Sequence, residues 1–165
     1  MAGTTPFDYI VADLDYPLFV VSAATGDDAD ACLVGFTSQC SIEPRRFVVF
    51  LSKQNHTCEV AGRASVLVVH RVRAEQHELA EHFGGISEKD DPRKLAEWPW
   101  RPGPEGTPVI QDCDWFAGRI ERTFDAGDHV AFVLSPFDGQ HRGQSQLGYQ
   151  EARDIEAGQP AGQPA

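Results

Sequence analysis

Two polar runs carry the residue types that could do chemistry in this chain. The first is Thr37, Ser38, Gln39, Cys40, Ser41. The second is Ser52, Lys53, Gln54, Asn55, His56, Thr57. Each borders an apolar segment, Leu33 to Phe36 for the first and Phe47 to Leu51 for the second. Hydroxyls, amides, one ammonium and free backbone N–H groups at strand ends can hold an anion such as a phosphate. A surface turn whose hydroxyls cap local N–H groups accounts for the first run equally well on its own. What favours a ligand site is the second run, because pairing of the two strands brings both runs to one end of the fold.

Other familiar constellations are missing or fail on geometry. The segment His77-Glu78-Leu79-Ala80-Glu81-His82 resembles a zinc-protease helix, but its histidines are five apart, which puts them about 140° apart around a helix. No metal site is expected. Cys40, Ser41 and Cys113 have neither a nucleophile elbow nor a reactive-cysteine signature around them. No glycine fingerprint of a dinucleotide-binding βαβ unit or of a phosphate loop occurs, so a nicotinamide would be taken as a transient substrate in an open site.

Composition narrows the classes. A formal charge of −11 over 165 residues excludes a basic nucleic-acid surface and argues against an anionic membrane face. No apolar run reaches the roughly 20 residues of a membrane span. Four cysteines without CxxC spacing, and no signal-like start, lead to the expectation of a cytoplasmic protein with reduced thiols.

The elements that position the polar runs read mainly as strands. Residues 1–15 read as a lead-in, 16–152 as one domain, and 153–165, ending in a repeated Gly-Gln-Pro-Ala unit, as a disordered tail. Tyr16 to Ala23 and Ala31 to Phe36 read as a hairpin around Thr25-Gly26-Asp27-Asp28. Arg46 to Ser52 and Val66 to Val72 read as strands, the latter buried on both faces. Thr57 to Arg63 reads as a short helix capped by Asn55 or Thr57. Ala74 to Phe83 reads as a helix closed by Gly84-Gly85, Pro92 to Glu97 as a second short helix, and Trp98 to Thr107 as an irregular covering loop. Val109 to Ile110, Trp115 to Arg122 and Gly127 to Phe137 complete the strands. Many strands joined by short turns predict a mainly β protein, an antiparallel barrel with added helices.

Taken in order, these segments resemble the flavin reductase-like family, whose fold is an FMN-binding split barrel. The resemblance rests on Gly35-Phe36-Thr37-Ser38-Gln39-Cys40-Ser41-Ile42-Glu43-Pro44, on Ser52 to Thr57, on the helix Glu75 to Phe83, on Gly106-Thr107-Pro108 and on Gly127-Asp128-His129. It implies a homodimer with FMN, or FAD, at the barrel edge. Thr37, Ser38, Gln39, Cys40 and Ser41 would contact the isoalloxazine and ribityl parts. Ser52, Lys53, Asn55, His56 and Thr57 would lie near the phosphate, and His129 would sit by the nicotinamide or flavin ring. The implied activity is hydride transfer from NAD(P)H to flavin, with a monooxygenase as possible partner. A flavin- or haem-binding carrier or sensor on the same barrel, without NAD(P)H turnover, is the alternative. A pyridoxamine phosphate oxidase-like enzyme is a weaker one, since basic residues are sparse.

Overall fold

A computed structural model of the chain describes residues 3–85, 94–143 and 145–156. The sheet opens with β1 (Phe19–Thr25) and β2 (Asp28–Val34), which pair antiparallel about Gly26, whose φ of 53° suits a residue without a side chain. Next come β3 (Thr37–Ser41), β4 (Arg46–Ser52), α2 (His56–Ala61) and β5 (Val66–Arg71), with α1 (Pro6–Ala12) preceding them all. Then follow α3 (His77–Gly85), β6 (Trp100–Pro102), β7 (Pro108–Ile110), β8 (Asp114–Asp125) and β9 (His129–Gln140).

Seven of these strands form one antiparallel sheet in the order β2-β1-β5-β8-β9-β4-β3. Its two edge strands, β2 and β3, are separated in sequence only by Gly35 and Phe36. Three Cα steps reach at most about 11 Å, whereas six strand spacings laid flat span about 29 Å. The sheet therefore has to roll up, and the Phe50 N–H donates to the Phe36 carbonyl at 3.0 Å, which continues the β3–β4 ladder into the link. The result is a barrel split beside this link.

Strand alternation divides the apolar residues between two cores. Val21, Ala23, Cys32, Val34, Val49, Leu51, Leu67, Val69, Phe132 and Leu134 fill the barrel, and Val60 and Ala61 of α2 plug it. Leu18, Val20 and Ala31 face outward and are covered by Leu79, Ala80 and Phe83 of α3. β5 is buried on both faces as expected: Leu67 and Val69 point into the barrel, while Val66 and Val68 pack on Val109, Trp115 and Ala117.

Several sequence expectations are revised. Thr37 to Ser41 is an edge strand with a bulge at Gln39/Ser41 rather than a loop. The covering loop Trp98 to Thr107 contains β6, which pairs with β7. Residues 94–97 form turns, and the remainder of the helix expected at Pro92 to Glu97 falls outside the described residues. The lead-in contains α1, started by a capping box in which the Thr5 and Asp8 side chains and backbone groups bond each other reciprocally. Of the expected tail, residues 153–154 form a turn, Ile155 packs near the outer core, and 157–165 lie outside the described residues.

One buried polar group fastens the outer layer. The His70 imidazole, fully buried, donates from Nδ1 to the Val20 carbonyl at 2.8 Å and accepts the Ile110 N–H on Nε2 at 2.9 Å. This pattern requires the neutral ring with the proton on Nδ1. Burial pushes its pKa down to about 4. Because the folded value lies below the unfolded one, the contribution of His70 is complete above about pH 6.5 and is lost as the pH falls toward 4, an effect of roughly 3 kcal/mol. Nitrogen NMR of the imidazole at about pH 5 should show His70 still neutral and Nδ1-protonated, while an exposed histidine is charged; a charged His70 there would contradict the assignment.

Candidate functional site

The cleft beside the barrel seam has a volume of about 680 Å³. One wall is aromatic. Tyr16 packs edge-on against Phe36 with ring centroids 5.5 Å apart and against Tyr149 at 6.0 Å, and Phe36 meets the His129 ring at 5.2 Å. Phe36 remains 48% exposed although the link it belongs to is fixed at both ends. Phe7 and Val11 of α1 close one side, and Cys32 and Val34 at the end of β2 lie at the base. Ser52, Asn55 and His129 supply the polar rim.

The first and last described segments build part of this wall. Tyr149 N–H donates to the Tyr16 carbonyl at 2.7 Å, and Leu18 N–H donates to the Leu147 carbonyl at 3.0 Å. The Gln150 carboxamide donates to the carbonyls of Ala12 and Leu14 at 3.0 and 2.8 Å, which anchors the end of α1, a helix with no buried residue.

The structure brings part of the expected site together. His129 faces Ser52 across the β4–β9 pair, and its Nδ1 lies 2.7 Å from Asp128 Oδ1. Asn55 is the N-cap of α2, its side chain accepting the Thr57 N–H at 3.0 Å. Ser52 Oγ accepts the Gln54 N–H at 3.3 Å. Lys53 is exposed and does not line the cleft; its Nζ lies 2.5 Å from Asp125 Oδ2, which holds the Asp125 carboxyl below its usual pKa.

His56 and Thr57 point elsewhere. His56 lies between Asp28, at 3.0 Å from Nε2, and Glu59, at 3.3 Å from Nδ1. Partial burial pulls its pKa down, but Asp28, Asp30 and Glu59 outweigh this and hold it above the usual histidine value. Thr57 is fully buried and donates from Oγ1 to Asp30 Oδ2 at 2.7 Å.

Thr37, Ser38, Gln39, Cys40 and Ser41 follow Phe36 away from the cleft along the edge strand, with Ser38, Gln39 and Cys40 exposed. Since the Phe36 carbonyl faces β4, alternation turns the backbone groups of Thr37 and Gln39 outward. Thr37 Oγ1 is buried and has no hydrogen-bond partner among the described residues. A buried hydroxyl without a partner costs free energy unless something bonds it. Edge-strand N–H groups, an unsatisfied hydroxyl and an aromatic wall suit a flat heteroaromatic ring with one polar edge.

The histidines of the zinc-like segment have structural partners. His77 Nε2 lies 2.9 Å from Asp154 Oδ1, and His82 Nε2 lies 2.6 Å from the Lys94 carbonyl. Cys113 is buried, which pushes its thiol up to about 11.

Sequence reasoning did not group Tyr16, Phe36 and Tyr149, which are far apart in the chain, and it missed α1. The Thr5-Pro6-Phe7-Asp8 start, with Pro at the first helical position and a reciprocal cap, is a signal that could have found that helix.

Comparison with known proteins bears on the fold and the family. The chain is 28% identical over 115 residues to the 4-hydroxyphenylacetate 3-monooxygenase reductase component of Pseudomonas aeruginosa, covering 68% of each. It is 26% identical over 134 residues to a Rhizobium meliloti protein named "Probable flavin reductase", covering 78% of this chain but only 42% of that longer protein. The fold is shared with Streptomyces globisporus C-1027 NADH:FAD oxidoreductase SgcE6, at a TM-score of 0.80 and 17% identity over 93% of this chain and 95% of that one. It is also shared with a Thermus thermophilus FMN-binding protein, at 0.74 and 18% over 85% and 77%. The model of the flavin reductase like domain matches residues 11–156, from the end of α1 through the last described residue, and the chain therefore belongs to the flavin reductase-like family.

Proposed function

We propose that this protein is an NAD(P)H:flavin oxidoreductase that holds FMN, with FAD as the alternative cofactor, at the barrel seam. The observation that carries this reading is the cleft: Tyr16, Phe36 and Tyr149 offer flat apolar faces opposite the polar groups of Ser52, Asn55 and His129, in a chain of the flavin reductase-like family.

The redox chemistry, acceptance of a hydride from reduced nicotinamide, belongs to the flavin when it is bound. The chain binds and orients. Outward N–H groups of Thr37 and Gln39, with the Thr37 and Ser41 hydroxyls, Ser38 and Cys40, would meet the polar edge and ribityl part. Ser52, Lys53 and Asn55 would meet the phosphate, and Lys53 is the one of them that brings a positive charge. His56 and Thr57 support that end through the strand β2. His129, held by Asp128, would meet the nicotinamide over the aromatic wall, and apolar groups around it exclude water. No side chain has to act as a strong acid or base, because hydride transfer moves no proton.

The same reading extends to a homodimer, to a cytoplasmic location and to a monooxygenase that consumes the reduced flavin. The monooxygenase partner is supported by the reductase component among the relatives.

The purified protein should oxidise NADH or NADPH when FMN or FAD is present, followed by nicotinamide absorbance; absence of turnover with every pairing would overturn the reading. His129→Ala should raise the KM for nicotinamide by about tenfold with a smaller change in kcat. Lys53→Ala should weaken flavin binding by roughly three- to tenfold, about 1 kcal/mol. It should leave the unfolding midpoint in urea unchanged, since an exposed ion pair adds little to stability.

A further inference from the structure

Behind the cleft, three side chains with no exposure form a polar chain inside an apolar core. Lys94 Nζ stands 3.3 Å from Asp30 Oδ1, and Thr57 Oγ1 donates to Asp30 Oδ2 at 2.7 Å. The ammonium contact is one of charge, without hydrogen-bond alignment. Burying a carboxylate and an ammonium is costly unless each has the other, and loss of one partner is far more damaging than loss of both. A pair of this kind is weak as a device for stability alone. Its geometry suggests another use.

Asp30 sits on β2 two residues from Asp28, so their side chains share one face of the strand. Asp28 takes His56 and Asp30 takes Thr57, which are consecutive residues in the first turn of α2. The neighbouring residue is Asn55, which caps that turn and lines the cleft. Cys32, two residues further along the same face of β2, also lines the cleft. Burial pushes this thiol up to about 12, so it serves as an apolar surface rather than a nucleophile. The polar chain thus reaches the cleft through Asn55, whose side chain accepts the Thr57 N–H at 3.0 Å.

We propose that Lys94 and Asp30 are positioning residues for the cofactor site: the pair fixes the Thr57 hydroxyl and, through it, the height of the Asn55 turn at the cleft rim. Lys94 belongs to the turns after α3, so this contact couples that segment to the cofactor cleft. The inference rests on the reading that flavin occupies the cleft.

The test compares Lys94→Met, Asp30→Asn, the double variant and Thr57→Val with the intact full-length protein. Flavin affinity is read by titration with FMN and with FAD at a temperature where circular dichroism shows each variant folded, and kcat and KM are read beside it. Each single variant should weaken flavin binding by at least tenfold while kcat at saturating flavin stays within about threefold. The double variant should recover to within about threefold of the intact protein, because the carboxamide that Asp30→Asn introduces would still accept the Thr57 hydroxyl and no buried charge is left alone. Thr57→Val keeps both the shape and the charge pair and cuts only the link, so it decides the matter if the charged single variants do not fold. Unchanged flavin affinity in folded Thr57→Val, or a lowered unfolding temperature with unchanged affinity in the other variants, overturns the inference. Failure of the intact protein to bind either flavin would instead defeat the proposed function.

Discussion

The constraint on which the rest of the structure depends is the brevity of the link between β2 and β3. A seven-stranded sheet whose outermost strands are joined by Gly35 and Phe36 cannot lie open. Closure turns one set of alternating residues into a dry barrel and leaves the seam as the place where strand pairing is incomplete. Phe36 cannot follow its neighbours inward at that point, and it stands half-exposed beside Tyr16 and His129. An apolar ring at a seam and a polar strand edge next to it are two products of the same closure.

Electrostatics divides the same region by depth. Lys53 and Asp125 meet at the surface, where water screens them and the lysine can turn to another anion. His56 is held between carboxylates at intermediate depth. Lys94 and Asp30 lie where water has no access. A chain with a formal charge of −11 would repel an anionic cofactor at long range. Binding must therefore depend on short-range donors, which is consistent with a site made of hydroxyls, amides and backbone N–H groups rather than a cluster of arginines.

Much of the barrel was legible in the sequence because β-branched and aromatic runs ending in turn residues carry their own signal. The β1–β2 hairpin about Gly26 and the doubly buried β5 are examples. β3 was not legible: an edge strand exposed along most of its length needs no apolar alternation, so Thr37 to Ser41 has the composition of a loop. α1 was hidden for a related reason, since none of its residues is buried and no apolar stripe marks it. Within the candidate site, the position of the polar runs could be read, but not the direction of each side chain. Asn55 is an extended N-cap at the cleft, whereas Thr57 lies inside the first turn of α2 and faces Asp30 in the interior, a change of direction that residue types alone do not show.

The hydrogen bonds that tie Tyr149 to Tyr16 and Leu147 to Leu18 bring the first and last parts of the fold side by side. A circular permutant that joins these neighbouring segments through a short linker and opens at the exposed Gly26-Asp27 turn would keep the Gly35-Phe36 link and every strand pairing, losing only the covalent β1–β2 turn. The Tyr149 and Tyr16 segments, which meet in the cleft wall from opposite ends of the chain, would then follow one another through that linker.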